Sequence, residues 1–170
     1  MVDIGGGSTE FRNQDQGVSL DLGSVRFTER YLATDATHAV TDQAFWAAED
    51  AIDRSLAGAK AVLHPILEGR VGVGVAGTVT ALASLQLGLR VFDAQRLERV
   101  ILSRGDLHRW VEELKWRSPQ ERTRDLGIDP GRADVLLAGA MILWRAAELF
   151  DLPPLRVSTR GLRFGVFRLS

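Results

Sequence analysis

The sequence predicts an α/β domain, a single mixed sheet with helices packed on its faces, and three observations lead there. The chain opens on a short apolar strand that enters a glycine turn and returns, Val2-Asp3-Ile4-Gly5-Gly6-Gly7-Ser8-Thr9-Glu10-Phe11. A long amphipathic stretch separates this start from a second apolar strand, Val71 to Ala76. The remainder alternates capped helices with short strands and closes on Leu155-Arg156-Val157. Short polar turns specify antiparallel neighbours, whereas helical crossovers specify parallel ones.

The elements follow in order. Thr9 to Asn13 and Val18 to Tyr31 read as the second and third strands of a meander, separated by the polar turn Gln14-Asp15-Gln16-Gly17. Thr41 or Asp42 caps a helix with Phe45, Ala48, Ile52, Leu56, Ala59 and Leu63 on one face, closed by Pro65 and Gly69. Its length supplies the crossover that makes the Val71 to Ala76 strand parallel to the first. Thr78 caps the next helix, which runs to Leu87, and Val100-Ile101-Leu102 is a short strand. Ser103 with Asp106 is a capping-box pattern ahead of Leu107, Trp110, Val111 and Leu114, and Ser118-Pro119-Gln120-Glu121 repeats the start signal. Asp129-Pro130 opens the most apolar helix, through Leu136, Leu137, Ala140, Met141 and Trp144, and Pro153-Pro154 ends it. Trp110, Trp116 and Trp144 sit at helical spacing and are assigned to the core.

Composition fits one soluble globular domain in the cytoplasm. Of the 170 residues 45% are hydrophobic and 25% charged, which supports a buried core and argues against disorder. Cysteine is absent, which excludes disulfides, zinc–thiolate sites and thiol catalysis. The longest apolar run, Val135 to Trp144, is about half of the ~20 residues that span a bilayer, and no signal segment opens the chain. Residues 1–89 are net acidic and 90–170 net basic, with Arg156, Arg160, Arg163 and Arg168 at the end. Such a tail is a weak pointer to a polyanion and not a nucleic-acid footprint. The strand at the start is short of the usual ~5–6 residues, so the chain reads as one that begins inside a strand, with a further part of the protein upstream.

The first glycine cluster suits phosphate handling. A carboxylate at a strand end, here Asp3, can hold a hydrated divalent metal or orient a water. Glycines let backbone N–H groups converge on an anion, and Ser8 and Thr9 add hydroxyls. Gly-Gly-Gly alone is more simply a hairpin turn; Asp3 before it and Ser8-Thr9-Glu10 after it favour phosphate. The second cluster, Gly72-Val73-Gly74-Val75-Ala76-Gly77, matches the dinucleotide pattern G-x-G-x-x-G, with Asp93 placed for a ribose contact. Two features oppose that reading: no strand precedes Gly72, and the first two glycines alternate with valines inside the strand. A turn at Ala76-Gly77-Thr78 is the better placement, and a helix start there is an anion site. Close packing of strand on helix explains Gly72 and Gly74 equally well. His38, His64 and His108 share no ligand spacing.

VDIGGGSTEF, GVAGTVTALASL, LGIDPGRADVLLAGAMIL and VSTRGLRFG together resemble successive motifs of the exopolyphosphatase/guanosine pentaphosphate phosphohydrolase (Ppx/GppA) family, a branch of the actin–hexokinase–sugar kinase superfamily. The resemblance covers residues 1–170 and matches the second of the family's two actin-like domains. It implies a ribonuclease H-like/actin-like ATPase fold with a mixed five-stranded sheet flanked by helices. The first domain, its own phosphate loop and the glutamate that activates water would lie upstream. By resemblance, Asp3 and Glu10 are catalytic: Asp3 holds the metal, expected to be Mg2+, or the attacking water, and Glu10 supports the loop. Gly5, Gly6, Gly7, Ser8 and Thr9 would bind phosphate, and Gly77 and Thr78 fall in the segment of the superfamily's adenosine motif. Phe164 stands where the family commonly has glutamate.

The implied activity is release of a terminal phosphate from polyphosphate or guanosine pentaphosphate, nearly absent in this chain by itself. The implied partners are that substrate and either a second copy of the chain or the first domain, with no nucleic acid and no membrane. A nicotinamide-dependent dehydrogenase built on Gly72 to Gly77, and a non-catalytic phosphate-binding module, are the alternatives.

Overall fold

Strands Val2–Ile4 (β1), Thr9–Arg12 (β2) and Gly17–Leu20 (β3) form the antiparallel meander, with Val2 opposite Phe11 and Phe11 opposite Val18. The computed structural model describes residues 1–67 and 72–160. The third strand is much shorter than the sequence pattern suggests. It stops at Leu20, and Ser24–Phe27 forms a helical turn (α1) that continues into a π-helical turn, Thr28–Leu32. Gly23, still extended at φ −127° and ψ 149°, is the N-cap of α1, and the chain turns helical from Ser24.

Helix α2 (Asp42–Gly58) is capped by Thr41, whose hydroxyl accepts the Ala44 amide. It buries Phe45, Ala48, Ile52 and Leu56, as the spacing requires. The helical run breaks at Ala59 and resumes as α3 (Lys60–Leu67), so Pro65 lies inside a helix instead of closing one. Gly58, a poor helix former, stands at the break. The expected stop at Gly69 lies outside the described residues.

Strand β4 (Val73–Val75) pairs parallel with β1, in register Val2 to Gly74 and Asp3 to Val75. Helix α4 (Ala76–Gln86) leaves it directly. A short helix α5 (Ala94–Leu97) precedes β5 (Ile101–Leu102), and α6 (Arg104–Lys115) and α7 (Pro119–Leu126) both carry complete capping boxes, at Ser103/Asp106 and Ser118/Glu121. A turn of helix, α8 (Pro130–Ala133), leads into α9 (Leu136–Leu149), and β6 (Leu155–Val157) returns to the sheet. The order is β3-β2-β1-β4-β6-β5, six strands and not five. The edge strand β5, which pairs antiparallel with β6, is the short strand expected at Val100 to Leu102, so that expectation holds and the count of five is one strand too few.

The core lies between the sheet and α9. Val2, Ile4, Phe11, Leu155 and Val157 point into it, and Leu137, Ala140, Met141 and Leu143 meet them from a helix buried nearly all round. Period-two alternation sends Asp3, Glu10, Ser19 and Arg156 to the opposite face, where none is buried. That alternation places both candidate carboxylates together. Trp110 is buried and Trp144 packs at the core margin, but Trp116 is 64% exposed. With Phe45 and Trp46 it surrounds the buried Lys115 ammonium, which also pairs with Asp42 at 2.9 Å. Among the described residues no helix is long and apolar enough to cross a membrane.

Candidate functional site

The glycine loop between β1 and β2 is held mainly through its carbonyls. The Gly5 amide closes the turn on the Ser8 carbonyl at 2.9 Å. The Gly5 carbonyl accepts the Ser24 amide at 2.9 Å, and the Gly6 carbonyl accepts the Val25 and Arg26 amides at 3.0 and 3.1 Å. Arg26 Nε donates to the Gly7 carbonyl at 3.1 Å. The first amides of α1, which a helix leaves without intrahelical partners, are therefore capped by the loop. Among the described residues the amides of Gly6, Gly7 and Ser8 make no hydrogen bond, and Gly6 and Gly7 are exposed. A run of free amides in a turn is an anion nest.

Asp3 and Glu10 are cross-strand partners on the open face of the sheet. Half-burial raises the Asp3 pKa above the ordinary carboxylate value, and the nearby charge of Glu10 raises it further. Glu10 Oε1 accepts the Ser8 hydroxyl at 2.6 Å and the Ser19 hydroxyl at 2.9 Å, so it ties the end of the loop to β3. A hard divalent cation suits this donor set. Among the described residues the Asp3 carboxylate of β1 has no ion-pair partner, and Mg2+ binds through one or two carboxylates while keeping its waters.

Thr9 lies elsewhere. It is fully buried and its hydroxyl donates to the Leu22 carbonyl, so it braces the segment before α1 and has no donor free for phosphate.

The second glycine segment meets the first. Ile4, Gly5, Gly6 and Ser24 line a cavity of about 280 Å³ together with Ala76, Gly77, Thr78 and Arg132. Ala76 adopts a left-handed backbone, φ 67°, at the junction of β4 and α4. A non-glycine residue there is strained, and such strain collects at functional turns. The N-cap of α4 is Val75, with no side-chain cap, so the expectation that Thr78 caps this helix is incorrect. Thr78 is instead buried, with Gly139 of α9 against its side chain.

Sequence reasoning missed Gly23 and Arg132. A Cβ at Gly23 would collide with the Gly6 carbonyl oxygen and the Gly7 carbonyl carbon, so only glycine lets α1 seat the loop. The Leu22-Gly23-Ser24 triplet carried the signal, a glycine before a hydroxyl residue that interrupts the alternation of apolar and polar residues. Arg132 reaches from α8 to the Gly77 carbonyl at 3.4 Å and makes no ion pair among the described residues. Nothing in its sequence spacing places it at the glycine loops.

The dinucleotide geometry is not present. Gly74 lies within β4 under Val79, Gly72 packs against Leu155, and Asp93 caps α5 by accepting the Arg96 amide. Among the described residues no group of three or more His, Cys, Asp and Glu side chains is arranged around a metal position. The segment containing Phe164, with Arg163 and Arg168, lies outside the described residues.

The Ppx/GppA phosphatase family model matches residues 1–169. The chain belongs to that family. Exopolyphosphatase 2 of Mycobacterium tuberculosis is 33% identical over 174 residues, an alignment that covers 98% of this chain and 53% of the relative. A guanosine-5'-triphosphate,3'-diphosphate pyrophosphatase of Aliivibrio fischeri is 30% identical over 178 residues, covering 98% and 32%. A Ppx/GppA phosphatase structure from Aquifex aeolicus superposes with a TM-score of 0.85 at 30% identity, over 98% of this chain and 54% of that one. The chain thus spans about half the length of the mycobacterial relative. The Ppx/GppA fold accounts for the meander followed by parallel β4 and β6, and gives no support to a nicotinamide-dependent dehydrogenase.

Proposed function

We infer that this chain is a phosphate-binding half of a phosphohydrolase site, acting on the terminal phosphate of polyphosphate or of a guanosine pentaphosphate. The observation that carries the reading is the set of free Gly6, Gly7 and Ser8 amides on the loop that follows β1, the strand that carries the Asp3 carboxylate. Anhydride hydrolysis passes through a transition state whose charge sits on phosphoryl oxygens, so fixed N–H donors stabilise it without reorganisation. Gly6, Gly7 and Ser8 would hold the phosphoryl oxygens, and Arg132 would meet a neighbouring phosphate across the cavity. Asp3 would hold a hydrated Mg2+, which supplies charge neutralisation when bound. Glu10 fixes the Ser8 end of the loop and keeps the Asp3 carboxylate basic.

The relatives are longer, and the reading places the water-activating group on a second domain outside these 170 residues, across a cleft from this loop. Positioning and general-base help are then both missing from this chain by itself. The face beside the loop would meet that domain or, without it, a second copy of the chain. The test measures phosphate release from polyphosphate and from guanosine pentaphosphate by the chain alone and with the upstream domain added. Turnover only in the mixture is the expected result; rapid turnover by the chain alone would refute the two-domain site.

A further inference from the structure

We propose that Arg26 is a positioning residue of the phosphate loop, whose guanidinium holds the Gly7–Ser8 peptide so that the Ser8 amide points at a bound phosphoryl oxygen; the proposal rests on the phosphate-loop reading above. The free amides of the loop share one arrangement. A peptide unit is planar and trans, so its C=O and N–H point in opposite directions, and a donor fixed on the carbonyl aims the amide. The Gly6 amide belongs to the peptide whose Gly5 carbonyl accepts the Ser24 amide at 2.9 Å. The Gly7 amide belongs to the peptide whose Gly6 carbonyl accepts the Val25 and Arg26 amides at 3.0 and 3.1 Å.

The third peptide is held differently. The amides of α1 run out at Arg26, because the next one, that of Phe27, closes the helical turn on the Gly23 carbonyl at 2.9 Å. Among the described residues no backbone amide donates to the Gly7 carbonyl, and the Arg26 side chain takes that place, with Nε at 3.1 Å. The Ser8 hydroxyl is already given to Glu10 Oε1 at 2.6 Å, so the amide is the donor that Ser8 keeps for a ligand.

Arg26 acts through this peptide and not by touching phosphate. It does not line the cavity of about 280 Å³ that Gly5, Gly6 and Arg132 share. It lies instead with Phe27, Arg30 and Tyr31 against a separate cavity of about 450 Å³. Its Nη2 stands 3.5 Å from Asp21 Oδ1, an exposed pair that contributes little by itself. The bond to the Gly7 carbonyl is thus the specific one. A charged donor makes a stronger bond than a neutral one and polarises the peptide, which strengthens the Ser8 N–H as a donor to an anion.

Calorimetric titration with tripolyphosphate and Mg2+, together with amide spectra of the 15N-labelled chain, compares wild type with two variants. Arg26→Ala removes the donor, whereas Arg26→Gln places a neutral Nε2–H at the same distance along the side chain. Arg26→Ala should bind tripolyphosphate about tenfold more weakly, the loss of one charge-assisted bond. The shift on binding should shrink at the Ser8 amide while Gly6 and Gly7 keep theirs. Arg26→Gln should return to within about threefold of wild type, since a neutral bond carries roughly half the energy of a charged one. Wild-type affinity in Arg26→Ala would overturn the proposal. So would an Arg26→Gln as weak as Arg26→Ala, which would make Arg26 a charge acting on phosphate directly, or an equal change at all three amides, which would make it a general prop of the loop. Failure of the wild-type chain to bind tripolyphosphate would overturn the phosphate-loop reading itself, and the role of Arg26 with it.

Discussion

A methyl group at Gly23 would overlap the Gly6–Gly7 peptide, and Gly23→Ala therefore tests whether α1 seats the phosphate loop. Ordinary van der Waals separation between carbon atoms is about 3.5 Å, so the loop must retreat by about 1 Å. That retreat breaks or stretches the hydrogen bonds to the Ser24, Val25 and Arg26 amides, now 2.9, 3.0 and 3.1 Å long. At about 1 kcal/mol net for each bond the loss is about 3 kcal/mol. Alanine also stiffens the unfolded chain and returns about 0.5 kcal/mol, so the expected loss of stability is about 2–3 kcal/mol. Urea unfolding should show a lower midpoint at an unchanged slope, because the surface buried on folding barely alters. Titration of the same variant with tripolyphosphate should show at least about a tenfold weaker complex, since charge-assisted bonds from positioned amides carry ~1.5–3 kcal/mol. Stability within about 0.5 kcal/mol of wild type together with unchanged tripolyphosphate binding would refute the seating argument.

Gly139→Ala brings a Cβ to 2.5 Å from Thr78 Oγ1 and 2.9 Å from Thr78 Cγ2, so overpacking of ~1–3 kcal/mol should outweigh the ~1 kcal/mol gain in helix propensity. The double variant with Thr78→Ala should recover most of the loss in a thermal-melt cycle; simple additivity would show that the two side chains do not meet. Arg122, 1% exposed, donates to the Leu114 carbonyl at 3.0 and 2.8 Å and to the Ala133 carbonyl at 2.8 Å, tying α6 to α8. Arg122→Leu leaves those buried carbonyls short of donors and should cost about 3 kcal/mol in urea unfolding, and a loss below about 1 kcal/mol would contradict that accounting. Folding raises the Asp3 pKa above 3.8, so ionised Asp3 opposes folding: the penalty is absent well below that pH and develops as pH rises through it. Asp3→Asn should therefore be more stable than wild type at about pH 7 and equal to it in strong acid. A variant less stable than wild type at neutral pH would reverse the assigned sign.

Much of the frame was legible because several signals agreed. Alternation in β1 and β2, the polar turn between β2 and β3 and the long α2 gave the meander and the parallel β4, and both serine capping boxes stand where the residue pattern put them. The misses have local causes. The run from Val18 to Tyr31 alternates apolar and polar residues from Val18 to Leu22 and again from Val25 to Thr28, so it reads as one strand, and only the contact of Gly23 with the loop shows why it must break. Pro65 reads as a stop, yet α3 restarts at Lys60 and carries through it.

In the proposed site, Asp3, Glu10 and the glycines were legible as candidates because a carboxylate beside a glycine turn is a short-range pattern. Residue type alone did not show that the buried Thr9 hydroxyl is committed to the Leu22 carbonyl or that Val75, not Thr78, is the N-cap of α4. Arg132 sits 55 residues from its partner Gly77, a separation that no local pattern reports.

The central claim is that the amides of Gly6, Gly7 and Ser8 hold phosphate. An NMR titration of the 15N-labelled chain with Mg2+ and tripolyphosphate reads those amides one by one. The account predicts saturable downfield shifts, largest at Gly6, Gly7 and Ser8, and reached in Gly23→Ala only at roughly tenfold or more higher tripolyphosphate. Shifts that leave these three amides unmoved, while others in the chain respond, would contradict it.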